Sequence, residues 1–259
     1  MAPHIADADG QINIGALALL TDFALAATIR ATHASHQRLA TVSINMELTA
    51  APRTSRLHAV SHFRGFAREG RGPIGKSDVL VFQDKTPVCI GTGAFMALDP
   101  PANVTLHPVP HRKRTDAPIS PLPESELKAD ERMILAHADA ALADPHPSFI
   151  ERFLGYAPRK TDSGAECVMA NGPHVGNRVG HAQGGVLLGL AAAAACRALP
   201  STWRLSAVSG WYLRPGEGET LHAKAEIFHQ GRLTAAVRTE VLNPGNQRVI
   251  EVITTHAHR

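Results

Sequence analysis

The longest uncharged apolar run in the chain is Val186 to Cys196, within the stretch NRVGHAQGGVLLGLAAAAAC, Asn177 to Cys196. No charge interrupts it before Arg197, so the helix it predicts lacks a polar face and must be buried all round. Gly184-Gly185 opens that helix, where the first N–H groups have no partner within the helix and the macrodipole favours negative charge. The stretch therefore predicts an oxyanion site. For a double glycine on its own, a core helix entered through a tight turn is the plainer reading.

A second copy changes that balance. DADGQINIGALALLTDFALAAT, Asp7 to Thr28, repeats the pattern with the same spacings: Asp7, Gly10, Asn13 and Gly15 fall opposite Asn177, Gly180, Gln183 and Gly185. Asp22 in the first helix faces Ala192 in the second, and Ile14 replaces the first glycine of the pair. Each copy keeps what the other has lost.

After each helix the period changes from helical to alternating. RLATVSINMELTAAP alternates from Thr41 to Leu48 and stops at Pro52, and LHAVSHFRGFARE, KSDVLVFQD and PVCIGTGAFMAL follow between turn signals. The second half repeats the order with RLSAVSGWYLRPG, TLHAKAEIFHQGR, LTAAVRTEVLN and RVIEVITTHAHR, with a turn at Asn243 to Asn246. GAECVMA predicts an opening strand before the second helix, whereas the first half has only Met1 to Ala6 in that place. The first helix should end between Arg30 and His33. Between the halves, the Pro-rich stretch from Asp99 to Pro123 predicts an extended connection. Helices are expected over Ser125 to Ala143, packed on the outside, and over Pro147 to Tyr156.

Composition narrows the function classes. At 44% hydrophobic and 19% charged the chain can bury a substantial core. A formal net charge of +3 is too small to imply nucleic acid. The densest basic run, His111 to Arg114, lies in the Pro-rich stretch without aromatics and reads as a solvated loop. Cys89, Cys167 and Cys196 have no Cys-x-x-Cys spacing and are expected to be buried free thiols of a reducing compartment. The N-terminus has no basic-then-apolar leader and the longest apolar run is too short for a bilayer, so a soluble cytoplasmic protein without membrane contact is expected. His58, His174, His181 and His222 show no metal spacing.

Asn-x-x-Gly-x-x-(His or Gln)-Gly-Gly leading into a buried helix, then an antiparallel meander, resembles the hotdog-fold acyl-CoA thioesterases, nearest in type to those of the phenylacetate pathway. The resemblance implies an α+β double hotdog, with each antiparallel sheet wrapped around a central buried helix. Residues 1–98 would be the N-terminal repeat, 99–146 a linker with one helix, and 147–259 the C-terminal repeat. It implies an acyl-CoA thioesterase without cofactor or metal and with a single active site between the halves. There Asp22 would be base or nucleophile and the Gly184/Gly185 helix start the oxyanion hole, with Asn177 and Gly185 binding substrate. Gln183 stands in the motif's His position and can still donate to a carbonyl. Ala192 facing Ile14 would leave the other interface dead. The resemblance leaves room for a homo-oligomer of such chains. Because fold does not fix chemistry, the alternative is a non-catalytic acyl-thioester binder or regulator. A hotdog hydratase would need an Asp and a catalytic His on a connecting loop, and that spacing is not found.

Overall fold

A computed structural model describes residues 3–32, 37–68, 70–102, 104–106, 120–143 and 148–259. Met1, His33, Pro147 and the basic run 111–114 lie outside the described residues. The first half is helix α1 (Ile14–Arg30) followed by β1 (Arg38–Leu48), β2 (Leu57–Arg68), β3 (Ile74–Gln83) and β4 (Thr86–Leu98). Helices α2 (Ala129–Leu142) and α3 (Phe149–Leu154) precede β5 (Arg159–Lys160) and β6 (Gly164–Ala170). Helix α4 (Gly184–Ala198) then leads into β7 (Trp203–Tyr212), β8 (Thr220–Gln230), β9 (Thr234–Leu242) and β10 (Arg248–His258). The helix-then-meander order read from the sequence is present twice. β6 is the GAECVMA strand, and the 3-10 turn Pro3–Ile5 of the first half corresponds by the repeat spacing to the 3-10 turn Pro173–Val175 that follows it.

All ten strands form one antiparallel sheet in the order β2-β3-β4-β1-β7-β10-β9-β8-β6-β5. The halves join edge to edge where β1 pairs with β7, Asn45 opposite Ser209, so neither of these strands is left as an open edge. Each half wraps its own helix. Leu17, Thr21, Leu25 and Ile29 recur every four residues along α1 and are buried, and Ser61 and Ser77 donate their hydroxyls to the carbonyls of Ala24 and Leu25, tying α1 to β2 and β3. α4 is buried over most of its circumference, as its composition requires.

The two helices run antiparallel against each other at backbone distance. A methyl group on Gly185 would lie 2.8 Å from Leu19 Cα, and one on Gly189 would lie 2.7 Å from Gly15 Cα. This crossing brings the middle of α1 to the start of α4.

Two expectations are revised. α2 begins at Ala129 rather than Ser125, because the Glu131 carboxylate accepts from the Lys128 amide and a separate 3-10 turn occupies Glu124–Glu126. Its apolar residues Met133, Leu135 and Leu142 remain exposed. Cys89 and Cys167 are buried, but Cys196 is exposed on the last turn of α4.

Candidate functional site

The turn entering each helix is built the same way in both halves. Asp7 Oδ1 accepts from the amides of Asp9 and Gln11, and Asn177 Oδ1 from those of Val179 and His181. Gly10 and Gly180, with φ of 71° and 82°, supply the left-handed residue each turn needs. Because Asp7 does this work in the half without the motif's double glycine, the Asn177 carbonyl oxygen is committed to the turn. Asn177 still lines the cavity described below.

The helix starts then diverge. Asn13 Oδ1 accepts from Gly15 N at 2.7 Å, so α1 is capped by its own flanking residue. Gln183 makes no such cap on α4. The acceptor comes from the other repeat instead: Asp22 Oδ2 lies 3.2 Å from Gly185 N and 2.8 Å from Gln183 Nε2. Thr41 Oγ1 is 3.4 Å from the other carboxylate oxygen, and a methyl on Gly184 would lie 3.3 Å from it. The structure thus brings together Asp22, Gln183, Gly184 and Gly185. The carboxylate sits directly on the Gly185 amide, which leaves no gap between them for a carbonyl and a water.

Asp22 is only 2% exposed, and burial pushes its carboxyl up to about 6 against the opposing pull of hydrogen bonds from Gly185, Gln183 and Thr41. This sets the sign of a pH effect on stability. The unfolded chain releases the proton near pH 4 while the fold retains it to about 6, so the stabilisation is complete below pH 4 and is lost as pH rises through 6. We expect Asp22→Asn to abolish that loss, measured as a wild-type melting temperature that falls relative to the variant between pH 4 and pH 7.

Two residues at this site escaped the sequence reading. Thr41 approaches the Asp22 carboxylate, and Tyr212 donates its hydroxyl to Gly184 O at 2.7 Å. Strand register shows why they are informative. Val42 is the extra residue where β1 bulges against β4, and Ser206 is the extra residue where β7 bulges against β10. Counting from these bulges, Thr41 corresponds to Leu205 and Tyr212 to Leu48. The second interface therefore lacks the carboxylate, the threonine and the tyrosine together.

A cavity of about 540 Å³ opens beside Asp22. Phe23, Leu39, Phe95, Met96 and Leu187 supply apolar wall, and Gln183, Gly184 and Tyr212 flank the carboxylate. His181 also lines it and pairs with Glu217 at 2.9 Å. Asn45 and Glu47 are not among the lining residues. Among the described residues no cluster of three or more His, Cys, Asp or Glu could hold a metal, and no helix is long and apolar enough to cross a membrane.

A helix wrapped by an antiparallel half-sheet, present twice with the sheets fused at one edge, defines a double-hotdog protein. Residues 173–257 match the family model described as acyl-CoA thioesterase N-terminal domain, so the match spans the motif turn, α4 and β7 to β10. The family match lies in the second repeat, and the fold of the chain is the double hotdog. Solved structures of similar fold include a provisionally assigned oleoyl thioesterase from Lactobacillus plantarum (12% identity, TM-score 0.58, covering 100% of this chain and 93% of that one). The tesB protein of Mycobacterium avium subs. paratuberculosis is similar at 15% identity and TM-score 0.55, covering 97% of this chain and 89% of that one. A provisionally assigned thioesterase II from Thermobifida fusca YX has 15% identity and TM-score 0.54, covering 100% of this chain and 90% of that one. At such identities the likeness is one of fold. No curated protein sequence matches the chain.

Proposed function

We propose that the protein hydrolyses acyl-CoA thioesters at one site between its halves, with Asp22 as general base. The observation that carries this reading is the buried Asp22 carboxylate of one repeat held at the start of α4 in the other, beside an apolar cavity. A substrate carbonyl entering there meets donors already aimed at a negative oxygen. The Gln183 amide and the first amides of α4, Gly184 among them, would stabilise the tetrahedral oxyanion. Asp22, released from its resting contact, would take a proton from a water that Thr41 helps to hold, and that water would attack the thioester carbon. The CoA sulfur then leaves as thiolate. Tyr212 would fix the Gly184 peptide from behind.

In this reading Gly185 has a split role. Its amide holds the base at rest, and it contacts substrate only when the carboxylate moves. The division into repeats 1–98 and 147–259 with linker 99–146 belongs to the same proposal, as does a cytoplasmic setting, which the two buried free thiols suit. A hydrolysis screen over short, medium, long and aromatic acyl-CoAs tests it directly. The rate of the accepted substrate should rise with pH as Asp22 ionises near 6 and then level off.

Ala192→Asp should create no second site. Ala192 is 1% exposed, and its counterpart environment has Asn13 committed to Gly15 and Leu205 in place of Thr41. We expect turnover per chain to stay at the wild-type value while the melting temperature falls, because a buried carboxylate without donors is costly.

One observation favours the alternative. Asp22 already accepts three hydrogen bonds and caps α4 across the interface, which is a structural task that a non-catalytic acyl-thioester binder would also need.

A further inference from the structure

Two tyrosines donate their hydroxyls into the first turn of α4. Tyr212 binds Gly184 O at 2.7 Å, and Tyr156 binds Val186 O at 2.5 Å. A peptide whose carbonyl accepts a hydrogen bond is polarised, so its own N–H becomes a better donor, and chains of such bonds strengthen cooperatively. The N–H of the Gly184–Gly185 peptide is that of Gly185, which holds Asp22 Oδ2 at 3.2 Å. From Tyr156 the path is one peptide longer. Val186 O shares its peptide with Leu187 N–H, Leu187 N donates to Gln183 O at 3.0 Å, and Gln183 O shares its peptide with Gly184 N–H. Tyr212 therefore acts on the amide that holds the base, and Tyr156 on the amide beside it. Among the described residues Gly184 N–H has no acceptor of its own.

Tyr156 is delivered by the segment between the repeats. Gly155, at φ of 71°, ends α3, and the Tyr156 amide turns back onto Glu151 O at 2.9 Å, which fixes the exit of the chain. The ring then enters the crossing of α1 and α4: a methyl on Gly15 would lie 2.7 Å from Tyr156 Cε2, and one on Gly189 would lie 3.0 Å from its hydroxyl. α3 itself is clamped by both repeats. Phe149 meets the His4 ring at 5.3 Å and Phe153 the His174 ring at 5.9 Å, and the two histidines hold the same place in the duplicated turns Pro3–Ile5 and Pro173–Val175. Burial pushes the Tyr156 hydroxyl well above its usual value, so it remains a donor.

α1 forms without this arrangement. Leu17 N donates to Asn13 O at 3.0 Å as Leu187 does to Gln183, but among the described residues no hydroxyl reaches Ile14 O or Ala16 O, and Leu48 stands where β7 has Tyr212. The two hydroxyls accompany the helix start that Asp22 caps.

We propose that Tyr156 is a positioning residue for the hydrolysis, acting through the Val186 and Gln183 peptides to orient and strengthen Gly184 N–H as a donor to the developing oxyanion. It acts at a distance, since Tyr156 is not among the residues that line the cavity. This rests on the thioesterase reading above. Removing an oxyanion donor outright costs about 10²–10³ in kcat, and a change relayed through two peptides is a fraction of that, so Tyr156→Phe is expected to lower kcat about three- to tenfold.

Phenylalanine keeps the ring in the crossing, and Val186 O keeps its partner within the helix, so the melting temperature should fall little. Two readouts separate positioning from packing. In Tyr156→Phe, kcat should fall with KM unchanged, and the pH midpoint of kcat/KM near 6 should stay, because a different amide holds Asp22. Tyr212→Phe should instead move that midpoint upward, since a weaker Gly185 donor raises the Asp22 carboxyl. Unchanged kcat per folded molecule in Tyr156→Phe, or a fall accompanied by the midpoint shift of Tyr212→Phe, overturns the assignment. The relay also has a readout without turnover. In protein labelled with 15N-glycine, Tyr156→Phe should move the Gly184 amide resonance more than that of Gly185. If no thioester is hydrolysed, the functional reading fails, whereas a moved Gly184 resonance still retains the relay and an unmoved one overturns it.

Discussion

Asp22→Asn is expected to lower acyl-CoA turnover by about a hundredfold or more while substrate affinity changes little. The argument turns on what asparagine preserves. Its carbonyl oxygen can still accept from both Gly185 N and Gln183 Nε2, which address the same carboxylate oxygen, while the new NH2 group takes the other oxygen's place beside Thr41 Oγ1, so α4 remains capped from the other repeat. What is lost is the proton acceptor. Removing a buried carboxyl whose pKa is raised to about 6 also relieves the cost of ionising it, so at pH 8 the variant should melt no lower than the parent. Reduced turnover with an unreduced melting temperature therefore assigns chemistry to Asp22. If the variant instead melts lower and the remaining folded protein turns over normally, Asp22 is a helix cap and the binder reading takes over.

How far this site could be read in advance follows from where its parts lie along the chain. Asp22, Gln183, Gly184 and Gly185 are legible because each sits within a turn-plus-helix segment that recurs with unchanged spacing, so one alignment exposes both the motif and its losses. Thr41 and Tyr212 are not legible by that route. The strands repeat at a different spacing from the helices, and the helix alignment places Thr41 opposite Trp211 rather than Leu205. A bulge in each central strand sets the true correspondence, and bulges leave little trace in an alternation pattern. The four arginines that line the cavity, Arg30, Arg38, Arg178 and Arg214, are hidden for a related reason: they are scattered between positions 30 and 214, and only the edge-to-edge fusion of the sheets and the helix crossing bring them to one cavity. Net charge gave no hint, because a local excess of three cations within one cavity vanishes in the average over 259 residues.

The helix crossing itself was only half legible. Small residues at the start of α4 announce close approach, but not to what. The structure answers with backbone: a methyl on Gly185 would meet Leu19 Cα at 2.8 Å, Ala18 O at 2.9 Å and Leu19 N at 3.0 Å. None of these atoms can swing aside as a side-chain tip could. Gly185→Ala must therefore push α1 and α4 apart, and we expect a destabilisation of about 1–3 kcal/mol or more. For a chain of this size that corresponds to a fall in melting temperature of roughly 2–12 °C. Gly184→Ala meets different atoms, Thr41 Oγ1 at 2.6 Å and Asp22 Oδ1 at 3.3 Å, which are the working ends of site side chains. It should cost less stability than Gly185→Ala and more activity per folded molecule. Melting curves and turnover on the same two preparations check both halves of this contrast. If Gly185→Ala melts with the parent, the close crossing that delivers Asp22 to α4 is wrong, and the site built on it falls as well.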